Sequence, residues 1–289
     1  MTERTKGLLI TFVGVMAIIP DALLVRLVVA DEWTTLFWRG VLTAISITVA
    51  LVITHRRQTF LRFAQIGALG VWLAALFAGG AICFVVAITL TKVANVLFIV
   101  ATTPLYAAII ARVFLGERVP LRIWIAIGFA MVGVAVIASA SATRGADSVL
   151  GDALAFLAAL SMAVTLSLAR KARSHSMVPA MALAGVLYAL AILPCASPLD
   201  VSAADVCWLA LMGLVFVPLG FSMLTIAPRY LPTPEVSLLL LLEAVLGPLL
   251  VWWVVGESPG SRGLIGGGIV VATLLVLNVV ALRTSGAHR

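Results

Sequence analysis

Apolar positions run along this chain in long stretches separated by short polar clusters such as Arg56-Arg57, Glu117-Arg118 and Arg170-Lys171. Ten stretches can be read, at 7–29, 34–53, 65–90, 94–115, 121–140, 151–170, 177–196, 204–227, 233–256 and 261–282. A helix needs about 20 apolar residues to cross a bilayer, and most of these stretches meet that length. The pattern therefore predicts an all-α integral membrane protein with ten transmembrane helices, here called spans 1 to 10. The gaps leave no room for a soluble domain of useful size.

One stretch occurs twice. Residues 95–120 and 235–260 are both apolar, both are interrupted near the middle, and both run into Gly-Glu, at Gly116-Glu117 and Gly256-Glu257. A constant shift of 140 residues superposes them, and it also pairs Leu69 with Leu209, Gly80 with Gly220, Ile125 with Ile265 and Gly128 with Gly268. A shift of 144 pairs Gly7, Phe12, Leu24 and Arg26 with Gly151, Phe156, Leu168 and Arg170. The ordered matches point to duplication, with five-span repeats at 1–145 and 146–289. An odd number of spans per repeat makes the second copy enter the membrane from the opposite side. The expected architecture is therefore two inverted-topology repeats around a central cavity.

Composition reinforces the membrane reading. The chain is 63% hydrophobic and 11% charged, against about 45–50% and about 25% for soluble domains, and its mean hydropathy is +1.20. The net charge of +7 is accounted for by arginine-rich loops, so no nucleic-acid partner is expected; the bilayer is. With the N-terminus inside, Arg56, Arg57, Arg62, Arg112, Arg118, Arg122, Lys171 and Arg173 fall on one side, and only Lys92, Arg144 and Arg262 on the other. The positive-inside rule then puts both termini in the cytoplasm, and the expected location is a bacterial inner membrane. Three cysteines without ligand spacing, three histidines and no phosphate-binding glycine loop give no reason to expect a metal, a cofactor or ATP hydrolysis. Gly263 and Gly267 in span 10 suit close helix packing, within a monomer or across a dimer face; a monomer is expected.

The motifs Pro104-Leu-Tyr-Ala-Ala, Phe114-Leu-Gly-Glu-Arg118 and Ile125-x-x-Gly128, repeated in part as Glu243, Gly256-Glu257 and Ile265-x-x-Gly268, resemble the EamA-like branch of the drug/metabolite transporter superfamily. Arg39 near the start of span 2 matches as well. Within that branch the chain is most similar to the YddG-type amino-acid exporters. One departure is that Glu243 is followed by Ala244, and the proline comes later, at Pro248. The resemblance implies a non-enzymatic permease, with a small-molecule substrate in a cavity lined by spans 1, 3, 4, 6, 8 and 9.

The midplane of those spans offers few polar atoms. Candidate substrate contacts are Phe77, Gly80, Thr102, Thr103, Tyr106, Ser161, Thr165, Phe216, Ser222 and Glu243, with Cys83, Phe84 and Phe221 at similar depth. Pro104, Pro218 and Pro248 are candidate kinks for gating. Pro104 should leave the Val100 carbonyl without its helical donor, open to a substrate ammonium or simply part of a packing kink. Glu243 reads either as an ammonium or proton-coupling group, or as an acid that holds span 9 to its neighbours. Asp21 lies about level with Leu42 in the first hairpin, with Arg39 about one turn away and within snorkelling reach, so the two should form a structural ion pair. Arg26 and Arg170 read as anchors at helix C-termini. An apolar cavity with hydroxyls, one acid and no base at midplane suits a neutral amino acid or a similar small metabolite, exported by alternating access, and excludes a polyanion. A multidrug or cation exporter would call for more than one cavity acid, and a membrane-embedded enzyme for clustered His, Asp or Glu at the interface.

Overall fold

The structure, a computed structural model, describes residues 3–56, 59–115, 121–143, 145–172, 176–227, 230 and 233–286. Its elements are α1 (Glu3–Leu27), α2 (Glu32–His55), α3 (Thr59–Gln65), α4 (Gly67–Leu90), α5 (Val93–Val100), α6 (Thr103–Leu115), α7 (Leu121–Ala142), α8 (Ala146–Lys171), α9 (Val178–Ile192), α10 (Ala203–Ala210), a wide π segment (Leu211–Phe216), α11 (Val217–Ile226), α12 (Thr233–Val255) and α13 (Gly260–Gly286). Among the described residues, eight helical stretches are long and apolar enough to cross a membrane. The shorter apolar helix α9 (Val178–Ile192) and the 23-residue α12 (Thr233–Val255) occupy the places expected for spans 7 and 9.

The pairings follow from which faces are apolar and small. α4 packs on α8 and α9, α2 on α9, α1 on α11 and α12, and α7 on α13. The α4–α8 and α1–α11 contacts are counterparts under the two shifts. A Cβ on Gly80 would meet Ser161 at 3.1 Å, and one on Gly220 would meet Ile18 at 2.3 Å. Small residues thus set the close approach in both halves. α7 and α13 meet through a cluster of Leu105, Ala126, Ala130, Val270 and Leu274, away from the bundle centre. Of the span 10 glycines, Gly266 backs onto Gly133 and Gly267 faces the Phe98 ring, while Gly268 faces open space.

Polar residues finish the helices. The Asp31 carboxylate caps α2, accepting from the N–H groups of Trp33 and Thr34 at 3.0 and 2.9 Å. Burial pushes this carboxyl up, but hydrogen bonds from Thr34 and the backbone outweigh burial and hold it below the usual range. Asp205 Oδ1 accepts from Val29 N at 2.8 Å, Trp38 Nε1 donates to Pro198 O at 3.0 Å, and Ser197 N donates to Thr34 Oγ1 at 2.9 Å. These bonds tie the α1–α2 turn to the α9–α10 connection. Cys195 and Cys207 flank that connection as free, exposed thiols.

Candidate functional site

A cavity of about 110 Å³ opens between α1, α2, α4, the α5–α6 break, α8, α11 and α12. Its walls are mainly apolar, with Phe77, Phe84 and Phe221 the largest groups. The polar side chains on it are Asp21, Arg39, Thr103, Ser161 and Glu243. Ser161 Oγ donates to Leu76 O at 2.6 Å and Thr103 Oγ1 to Val100 O at 2.6 Å, so both hydroxyls keep lone pairs as acceptors.

Arg39 Nη2 donates to Asp21 Oδ2 at 2.7 Å. Both residues are buried, Arg39 at 2% exposure. Arg39 sits beside Gly40, where a Cβ would lie 2.6 Å from the Gly185 carbonyl. α9 therefore presses directly on α2 at this level, and the neighbouring Arg39 side chain goes to the bundle centre. Arg39 Nε, Arg39 Nη1 and Asp21 Oδ1 are buried with no hydrogen-bond partner among the described residues. This corrects two expectations. A base does face the cavity, and with Asp21 beside Glu243 the cavity holds two acids rather than one.

Of the expected contacts, Phe77, Gly80, Thr103, Ser161 and Glu243 line this cavity, as does Pro104. The others sit elsewhere among the described residues. Thr102 is buried, its hydroxyl bonded to Ile99 O at 2.5 Å and to the Tyr106 hydroxyl at 3.0 Å. Tyr106 turns away from the cavity and stacks edge-on against Phe156 at 5.2 Å. Thr165 lines a second, smaller pocket of about 20 Å³, one turn along α8 from Ser161. Phe77 and Phe221 form a T-shaped pair, centroids 4.7 Å apart, that walls both pockets. Phe216 packs against the main core at the end of the π segment. Ser222 is half-buried beside Phe221 but off the cavity wall.

The three prolines expected as kinks take different positions. Pro104 starts the second piece of a broken helix, and the Val100 carbonyl it leaves is taken by Thr103 Oγ1. That carbonyl is not simply open to substrate. Pro218 is buried in the first turn of α11, directly after the π segment, and lies off the walls of both pockets. It leaves the Leu214 carbonyl, which Ser46 Oγ of α2 takes at 2.7 Å. Pro248 lies inside continuous α12, off the cavity wall. It cannot donate to the carbonyl of Ala244, which is a cavity residue next to Glu243.

At one end of the bundle, Arg26 does more than anchor α1. Its Nε pairs with Glu257 Oε2 at 2.9 Å, and Glu257 Oε1 accepts from Val93 N at 2.8 Å. Lys92 Nζ donates to Ser258 O. The ends of α1, α5 and α12 are thus tied together. The side chain of Arg170, its counterpart, and the expected Glu117 lie outside the described residues.

Long apolar helices around an internal cavity with charged residues on its wall define a multi-pass membrane protein. The sequence profile of the EamA-like transporter family matches residues 6–139 and again residues 149–279, so the chain belongs to that family, whose members are membrane transporters and not enzymes. The fold matches a crystal structure described only as that of a protein, with a TM-score of 0.68 and 19% identity, over 97% of this chain and 99% of that one. No curated protein matches the chain.

Proposed function

We propose that this transporter is a secondary permease exporting amino acids or similar small metabolites across a bacterial inner membrane, by alternating access between two inverted repeats. The observation that carries the proposal is the cavity. It collects residues from both family matches, and it offers both signs of charge together with an apolar wall. Aromatic and aliphatic walls suit an uncharged side chain, while Arg39 and Glu243 supply partners for charged ends. Both termini are read as cytoplasmic from loop arginines, and the tie between Arg26, Glu257 and Val93 then lies on the outer side.

A cation exporter is the second reading, because two acids, Asp21 and Glu243, reach the cavity. Against it, Arg39 neutralises Asp21 through the 2.7 Å pair, leaving one unpaired acid beside an under-used base. The test is uptake into proteoliposomes across a panel of neutral amino acids and lipophilic cations, with and without a pH gradient. Accumulation of amino acids supports the proposal. Accumulation of the cations alone replaces it with the second reading.

A further inference from the structure

We infer that the cavity is a zwitterion site, in which Arg39 receives a carboxylate on Nε and Nη1 and Glu243, with the Ala244 carbonyl, receives an ammonium group. The inference rests on the permease reading and goes further by assigning the two charged ends of the solute to named groups, Arg39 on α2 and Glu243 on α12.

The guanidinium offers a planar fork of five N–H donors suited to bidentate recognition of a carboxylate. Only Nη2 is engaged here, by Asp21; Nε and Nη1 are buried and unpartnered among the described residues. Donors left in that condition carry their full desolvation cost until an acceptor arrives. Asp21 acts as a positioning residue, fixing the fork and keeping the arginine from being an isolated buried charge. Glu243 lines the same cavity from α12, and salt bridges among the described residues do not include it. One residue on, the Ala244 carbonyl lacks the donor that Pro248 cannot supply. Carboxylate and carbonyl are both acceptors, as an ammonium requires.

Charge arithmetic selects among solutes. A simple cation satisfies Glu243 but leaves the two Arg39 donors empty. A simple anion does the reverse. A molecule with one ammonium and one carboxylate fills both at once, and Phe77, Phe84, Phe221 and Ile18 are left to contact its side chain.

The test is competition in proteoliposome counterflow with the full chain, using alanine, leucine and phenylalanine, their methyl esters and their N-acetyl derivatives. The esters keep the ammonium and lose the carboxylate; the N-acetyl forms do the opposite. Each derivative should compete about tenfold to a hundredfold less well than its parent, the factor expected for losing a hydrogen bond to a charged group. In Glu243→Gln the penalty on the N-acetyl forms should shrink to within about threefold while the penalty on the esters persists; a merely structural glutamate would leave both ratios unchanged. Esters or N-acetyl forms competing as well as the parents in the wild type overturn the zwitterion site and leave the permease standing. Failure of all nine compounds, with folded protein shown by its thermal melt, overturns the amino-acid permease reading itself.

Discussion

Residues 95–120 and 235–260 are related by a constant shift, yet the first forms two helices, α5 and α6, where the second forms one, α12. The shift places Glu243 on Thr103, Ala244 on Pro104 and Pro248 on Ala108. Thr103 and Glu243 both line the cavity, so positions matched by the shift share a place and differ in chemistry. In the first copy the proline directly follows two threonines whose hydroxyls take the Ile99 and Val100 carbonyls. The break satisfies itself and leaves little for a solute. In the second copy the proline lies a turn further on, with no hydroxyl among residues 242–248 to do the same. That half keeps its helix and presents an acid and an unclosed carbonyl. On the proposed site, the first stretch serves as scaffold and the second as contact surface.

The largest effects should come from filling or discharging the cavity. Ser161→Trp should abolish transport, because Ser161 lies on the wall against Gly80, whereas Ile127→Trp on α7 should leave most of it. Equal loss at both positions would break the assignment of the cavity. Making the second copy like the first, Glu243→Thr should lower transport by about tenfold or more with little change in thermal melting. Thr103→Val should do the reverse, keeping transport and losing about 0.5–1.5 kcal/mol of stability with the hydroxyl bond.

Next come the charges that only the first repeat supplies. Asp21→Ala and Arg39→Ala should each cost about 3–5 kcal/mol, since each strands a buried partner. The double variant should cost less than the sum, read from melts of all four proteins in one detergent. Strict additivity would contradict the 2.7 Å pair.

The difference between the copies was only partly legible in the amino-acid order. Apolar run lengths located the helices, and the doubled Gly-Glu endings pointed to a repeat. Counting heights down a hairpin placed Asp21 about one turn from Arg39, within its reach. Rotation about the helix axis is what run length does not carry. Thr102 and Tyr106 are four apart and share a face, while Thr103 lies about 100° round from Thr102; the three cannot all meet one cavity, and the structure turns the first two towards Phe156. The same 100° step separates Ser222 from Phe221. Arg39 was legible as a partner for Asp21, but its approach to the cavity depends on α9 closing on Gly40, a contact across some 145 residues. The π segment before Pro218 and its Ser46 cap depend equally on a distant helix.

A finer test separates the two prolines. Pro104→Ala should change transport little, since Thr103 already serves the Val100 carbonyl. Pro248→Ala gives Ala244 its helical donor back, so it should reduce transport several-fold while leaving the melt unchanged or slightly higher. Equal transport in the two variants would mean that the unclosed carbonyl plays no part in binding.

The smallest effect concerns how the second copy ends. Glu257 stands where the first copy has Glu117, and it bridges Arg26 and the N–H of Val93 at the start of α5. Arg26 is 37% exposed, so water and salt screen the pair, and exposed pairs of this kind contribute about 0.2–1 kcal/mol. Arg26→Gln should therefore shift the melt by no more than that, and the shift should shrink further as salt is raised. Glu257→Ala should cost more than Arg26→Gln, because it also removes the acceptor that caps the first turn of α5. If the arginine variant proves the more damaging, the ion pair rather than the cap holds this end of the bundle together, and the apparent likeness between the two Gly-Glu endings is one of charge rather than of helix capping.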